Sequence, residues 1–182
     1  MSMPIYMKNS VGEGIEIFSN DNTIINNFIT ADEFDGVVIF GRDRNIIKGN
    51  KIVNGRIRLD LSSTFGTADD NQVLDNTIIS SGLEGIVVVG KRVVIQGNTI
   101  DQSGGNGIEV SSFTSSKGTP FISEGVNIKG NSITNSGEFG IEIESGSLNT
   151  VVIGNTLAGN GGDNLLNNGT DTVFAGNVPN LM

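Results

Sequence analysis

The sequence predicts an all-β fold: a right-handed parallel β-helix, a single-stranded solenoid of about seven coils spanning 1–182 as one domain. Two recurring phrases and one absence carry that prediction. A β-branched run, an Asn, any residue and an aliphatic recur at Asn27-Phe28-Ile29, Asn50-Lys51-Ile52, Asn76-Thr77-Ile78, Asn98-Thr99-Ile100, Asn131-Ser132-Ile133 and Asn155-Thr156-Leu157, with a degenerate Asn177-Val178-Pro179. Interleaved with these is a Gly followed by an alternating apolar strand: Gly14-Ile15-Glu16-Ile17, Gly36-Val37-Val38-Ile39, Gly85-Ile86-Val87-Val88, Gly107-Ile108-Glu109-Val110 and Gly140-Ile141-Glu142-Ile143. No stretch shows a capped 3.6-residue period.

The first phrase sets the period. Successive asparagines lie 23, 26, 22, 33, 24 and 22 residues apart by subtraction. A unit of that size cannot bury its own apolar face and must stack on its neighbours. Leucine-rich repeats need regular leucines, hexapeptide helices a shorter period, and propeller blades a longer one. Parallel crossovers prefer the right hand. In such a stack the rungs lie about 4.8 Å apart, so the asparagines form a column of side-chain amides that bond along the axis.

Alternation then assigns faces to the Gly-led strands. Ile15, Val37, Ile57, Ile86, Ile108 and Ile141 point inward with their i+2 partners, Arg56-Ile57-Arg58-Leu59-Asp60-Leu61 supplying the third rung. One outward row reads Glu16, Val38, Arg58, Val87, Glu109, Glu142, and the next reads Phe18, Phe40, Asp60, Val89, Ser111, Glu144. These rows hold the candidate substrate-binding residues Glu16, Phe18, Phe40, Arg58, Asp60, Glu109, Glu142 and Glu144. Arginine forks match carboxylates, and outward aromatics offer a stacking platform for sugar rings.

Glu109 and Glu142 fall on adjacent rungs, about 5 Å apart. Such a pair splays into water, shares a proton or binds a cation, here calcium. With Asp60 they are also the candidate catalytic carboxylates, because glycoside hydrolysis needs two carboxyls at a defined separation. Two long loops, Ser62 to Asn71 and Ser111 to Glu124, interrupt the period and would wall a groove over this face. Asp69-Asp70 and Lys117 lie in them.

Composition excludes much else. The chain has no Cys and no His, so disulfides, thiolate sites and imidazole catalysis are out. A net charge of −9 with scattered cations argues against nucleic acid as a partner. No run approaches the length of a membrane span. Met1-Ser2-Met3-Pro4-Ile5-Tyr6-Met7 does not read as a signal peptide. The chain begins almost inside a repeat, which predicts a fragment or an uncapped N-terminal end, covered by a neighbouring domain or another copy.

The Gly-Ile-x-Val strands and Asn-x-Ile turns resemble the parallel β-helix repeat of pectate lyases, polysaccharide lyases, phage tailspikes and mannuronan C5-epimerases. Phe34-Asp35-Gly36-Val37-Val38 is similar to the Leu-Asp-Gly-Phe-Val stretch of the epimerase catalytic modules. Gly107-Ile108-Glu109-Val110-Ser111-Ser112-Phe113, the loop after it, and Val126-Asn127-Ile128-Lys129-Gly130-Asn131-Ser132-Ile133 resemble their late coils. The Tyr-Gly-Phe-Asp-Pro-His signature is missing: its Tyr, Asp and His positions are Val11, Gly14 and Glu16. Also missing are the Asp-Asp and Gly-His-Gly motifs of polygalacturonase-like hydrolases. The resemblance implies a module that binds or acts on an acidic polysaccharide, extracellular or at the cell surface as part of a larger protein. The alternative is a structural β-helix of a tailspike, adhesin or surface protein.

Overall fold

The computed structural model describes the backbone of residues 6–10, 12–32, 34–60 and 66–179. Every regular element among them is a β-strand. The segment Met1 to Ile5, Val11 and the stretch from Leu61 to Phe65 lie outside the described residues, and with them the first part of the Ser62 loop.

Three seven-stranded sheets run the length of the chain, each stacked in sequence order, as a solenoid requires. Each full coil therefore contributes three short strands rather than the two that the phrases made conspicuous. The Gly-led sheet consists of Ile15–Ile17, Asp35–Phe40, Arg56–Asp60, Ile86–Val88, Ile108–Val110, Ile141–Ile143 and Leu165–Asn167. A second sheet, from Tyr6–Ser10 to Thr156–Ala158, follows the Asn-x-aliphatic turns, and the β-branched runs before each Asn form the third, from Thr23–Ile25 to Val173–Ala175. The pairing between coils is parallel and follows the repeat, as in Ile57↔Ile86↔Ile108↔Ile141, with register shifts at Met7/Ser10 and Asp35/Val37.

A single column of Ile, Val and Leu fills the interior, with Ile29, Ile52, Ile78, Ile100 and Ile133 from the Asn-x-Ile strands packed against the inward residues of the other two sheets. The asparagine column is buried beside it. Each Nδ2 from Asn27 to Asn155 donates to the Oδ1 of the next asparagine at 2.9–3.0 Å. The same Oδ1 atoms accept the backbone N–H of the preceding asparagine, so the ladder satisfies corner amides that no strand pairs.

Close approach explains why the strands are led by glycine. A Cβ on Gly107 would stand 2.2 Å from Ile133 Cγ2 and 2.6 Å from the Gly140 carbonyl, and one on Gly85 would meet Ile100 and the Gly107 carbonyl equally closely. The core isoleucine and the next coil occupy the space of a side chain.

Candidate functional site

The Gly-led sheet presents its outward rows in the expected register: Glu16↔Val38, Val38↔Arg58, Arg58↔Val87, Val87↔Glu109, Glu109↔Glu142. One part of that picture needs correction. Val38, Val87 and Val89 point away from the core yet are buried, with Val38 fully inaccessible. In the first row Val38 stands between Glu16 and Arg58, so it is a floor rather than a contact surface.

Over Val87 and Val89 lies a groove of about 480 Å³, lined also by Arg56, Arg58, Asp60, Glu84, Glu109, Ser111, Ser112, Phe113 and Glu144. Of the residues expected on this face, Arg58, Asp60, Glu109 and Glu144 come together there. Glu142 stands on the next rung beside Glu109, and Glu16 and Phe18 lie two rungs from Arg58.

One wall is the excursion after Ile108–Val110. Within it Phe113–Thr114 pairs antiparallel with Pro120–Phe121, and the rings of Phe113 and Phe121 stack at 6.4 Å. Serines fasten its base: Ser123 Oγ donates to the Ser111 carbonyl at 2.6 Å, and Ser112 Oγ accepts from Ser123 N at 3.1 Å. Lys117 lies at the exposed tip. Asp69 and Asp70 sit instead at a solenoid corner, where Asp70 pairs with Arg92 at 2.7 Å.

The other end of the groove is built around Asp35. Arg56 Nε donates to its Oδ1 at 2.7 Å, and Arg58 reaches its Oδ2 through Nε at 2.7 Å and Nη2 at 2.6 Å. Arg58 Nη1 also meets Asp60 at 2.5 Å, and Arg56 Nη1 bonds Glu84. Burial pulls the Arg56 guanidinium down, but Asp35 and Glu84 outweigh it and hold it above its ordinary value. Beyond Arg58, whose guanidinium carbon lies 5.3 Å from the Phe40 ring centre, Phe40 and Phe18 stack at 5.7 Å. Phe18 is 58% exposed.

Asp35, Arg56 and Glu84 were absent from the expected site. Counting back from inward Val37, strict alternation turns Asp35 inward. The ladder, however, shifts register between Asp35 and Val37: Asp35 pairs with Arg56 and Val37 with Ile57. That extra residue, a bulge at Gly36, re-aims Asp35 toward the arginines. Arg56 was legible from its alternation with Arg58, whereas Glu84 precedes its strand and carried no signal.

At the far end, the Asn106 amide bridges the two glutamates, donating to Glu142 Oε2 at 2.6 Å and Glu109 Oε2 at 3.1 Å. Ser111 Oγ donates to Glu109 Oε1. Burial raises Glu109 above the ordinary glutamate value. The Ser111 and Asn106 bonds oppose that, and Glu84 and Glu144 add to it. Among the described residues no group of three or more acidic side chains converges as a metal site.

Comparison with known families settles the fold. The description "Right handed beta helix region" matches residues 13–178, nearly the whole chain. The chain belongs to the right-handed β-helix family. Among solved structures this β-helix is similar to the periplasmic alginate epimerase AlgG (18% identity, TM-score 0.76, covering 97% of this chain and 44% of that one). It is also similar to the Azotobacter vinelandii mannuronan C-5 epimerase AlgE6 A-module (18%, TM-score 0.62, 93% and 56%). A third is the GH87 alpha-1,3-glucanase of Streptomyces thermodiastaticus (20%, TM-score 0.66, 94% and 38%). The chain thus spans about half or less of the length of these proteins, and at such identities the likeness is one of fold. No curated protein sequence matches it.

Proposed function

We propose that this β-helix is a polysaccharide-binding module that lays a glycan along its Gly-led sheet, parallel to the solenoid axis. The observation that carries this reading is the continuity of one face. An aromatic stack at Phe18 and Phe40 leads past Arg58 into a groove with a valine floor, a carboxylate rim and the Phe113 hairpin as its wall. Apolar floors accept the C–H faces of sugar rings, while rim carboxylates accept bonds from hydroxyls. Known structures of this fold that act on alginate, mannuronan and alpha-1,3-glucan support a carbohydrate ligand. They support a location outside the cytoplasm too, since AlgG is periplasmic.

Binding is placed ahead of catalysis. Where the epimerase signature would supply a catalytic His the chain has Glu16, exposed and two rungs from Arg58. A spacing of about 10 Å separates any base there from the nearest groove cation. The expected acidic ligand rested on the family resemblance and on the outward row, in which Arg58 was the carboxylate clamp; that guanidinium is already shared between Asp35 and Asp60.

Binding of the full chain to a panel of soluble neutral and uronate polysaccharides tests the proposal. At least one should bind, and Phe113→Ala and Phe40→Ala should each weaken it about fivefold or more, the range of a lost aromatic contact. A structural spacer, the reading favoured by exposed Phe18 and Phe113, predicts no binding and mass growth with concentration in light scattering.

A further inference from the structure

We infer that the glycan this groove accepts is a neutral one, a hydroxyl-bearing chain without carboxylates. The inference rests on the reading of the groove as a polysaccharide site and names its ligand class.

Consider first what the groove can donate. Its two guanidiniums are committed to protein carboxylates. The forked edge of Arg58, Nε and Nη2, is spent on Asp35 and its Nη1 on Asp60; Arg56 is divided between Asp35 and Glu84. Asp35 is only 4% exposed and bonds both arginines through different oxygens, so moving either one toward a ligand leaves one buried carboxylate oxygen without its cation. A uronate needs a free planar fork for bidentate capture, and neither arginine presents one.

The groove's accepting capacity is larger. Four carboxylates line it, Asp60, Glu84, Glu109 and Glu144, against those two guanidiniums, and the carboxylate of Asp35 lies just beneath. Glu109 and Glu144 have no cationic partner among the described residues. Glu109 takes neutral donors from Ser111 and Asn106, and Glu144 accepts a bond from Ser112 N at 3.3 Å. Ionised carboxylates only accept, so a ligand seated here must bring the hydrogens. Sugar hydroxyls supply them, whereas a uronate brings a like charge into a partly desolvated cleft. Buried Val87 and Val89, with half-exposed Phe113 above, provide the surface for the ring carbons.

The test is a competition between charge classes on the full chain. Isothermal titration at neutral pH would compare neutral glucan, mannan and galactan with alginate, polygalacturonate and a deacetylated chitosan. The expected result is a neutral glycan bound about tenfold or more tightly than either uronate, with an affinity that salt leaves unchanged, since no ion pair is screened. The double variant Glu109→Gln/Glu144→Gln, verified as folded by its circular dichroism, should narrow the gap between neutral glycan and alginate about threefold or more as two like charges are removed. Tighter binding of a uronate would overturn the inference while leaving the groove as a glycan site. So would chitosan outbinding every neutral chain, the mark of a cation-seeking groove. Binding to no member of the panel would sink the parent reading and this one with it.

Discussion

Asp35 holds Arg58 by its whole forked edge: Nε and Nη2 both meet Oδ2, at 2.7 and 2.6 Å. Because the same carboxylate also takes Arg56, it fixes the position of both groove cations from below. Removing it leaves two guanidiniums side by side on one strand without the carboxylate they share. Asp35→Ala is therefore expected to destabilise the fold by about 2–4 kcal/mol, less than a fully buried pair because the arginines are partly exposed. Urea unfolding followed by circular dichroism measures the loss. An unchanged midpoint would mean that Asp35 organises nothing.

How much of this was written in the sequence depends on regularity. The inward isoleucines and the order of the outward rows were legible because a parallel stack repeats the same two-residue alternation on every rung. The Asn column was legible for the same reason. Alternation failed at Asp35, where the bulge at Gly36 inserts one residue and reverses the facing of Asp35. It gave Val38 and Val87 their outward direction but not their burial, since direction from the core does not report what long neighbours cover. Glu84 and Asn106 lie in corners between strands, where no periodicity speaks. The hairpin at Phe113–Thr114 and Pro120–Phe121 was visible only as an anomalous step of 33 residues.

Glu109 gives the fold a distinct pH response. Burial raises its folded value, so the stability it contributes is present in full below the ordinary glutamate value of 4.5 and is lost as pH rises through the folded value. Asp21 and Asp70 act in the opposite sense. Hydrogen bonds from Arg44 and Arg92 hold them low, and their contribution, present above the ordinary 3.8, is lost as the solution is acidified through their folded values. Both are exposed, so the Glu109 effect should dominate above pH 4.5. Glu109→Gln, whose amide oxygen can accept from Asn106 while its NH2 donates to the rotatable Ser111 hydroxyl, should unfold at a higher temperature than the native chain at pH 7 and lose that advantage near pH 4. Thermal melts across this range check it; parallel pH curves for the two proteins would exclude a Glu109 contribution.

The asparagine column predicts a large cost for a small change. Asn98 Oδ1 accepts from both Asn76 N and Asn76 Nδ2, and its Nδ2 donates to Asn131 Oδ1 at 3.0 Å and to the Val73 carbonyl at 2.9 Å. Leucine fills a similar volume and satisfies none of them. Asn98→Leu should cost about 3–5 kcal/mol, from two or more buried groups left unpaired. Because the column lies on the opposite side of each Asn-x-Ile turn from the groove, glycan affinity at temperatures where the variant is folded should stay within about twofold of native, the level of an independent site. Denaturation midpoints and titrations together separate the two effects.

Glycine at the head of each Gly-led strand makes the sharpest prediction. At Gly107 a methyl group would press into Ile133 Cγ2 and the Gly140 carbonyl, at 2.2 and 2.6 Å. Neither can retreat, because Ile133 is fully buried and the carbonyl accepts the Ile108 N–H at 3.0 Å. The expected cost of Gly107→Ala is about 3 kcal/mol or more, at the upper end for overpacking. The usual gain from replacing glycine with alanine in a strand is less than about 1 kcal/mol and does not offset it. A matched Gly118→Ala at the hairpin tip should behave differently. Gly118 has open space around a Cβ but a φ of 80°, so only backbone strain opposes the change there. A melting temperature reduced far more at position 107 than at 118 would show that coil spacing, and not turn geometry, selects glycine in these strands; equal losses would reverse that assignment.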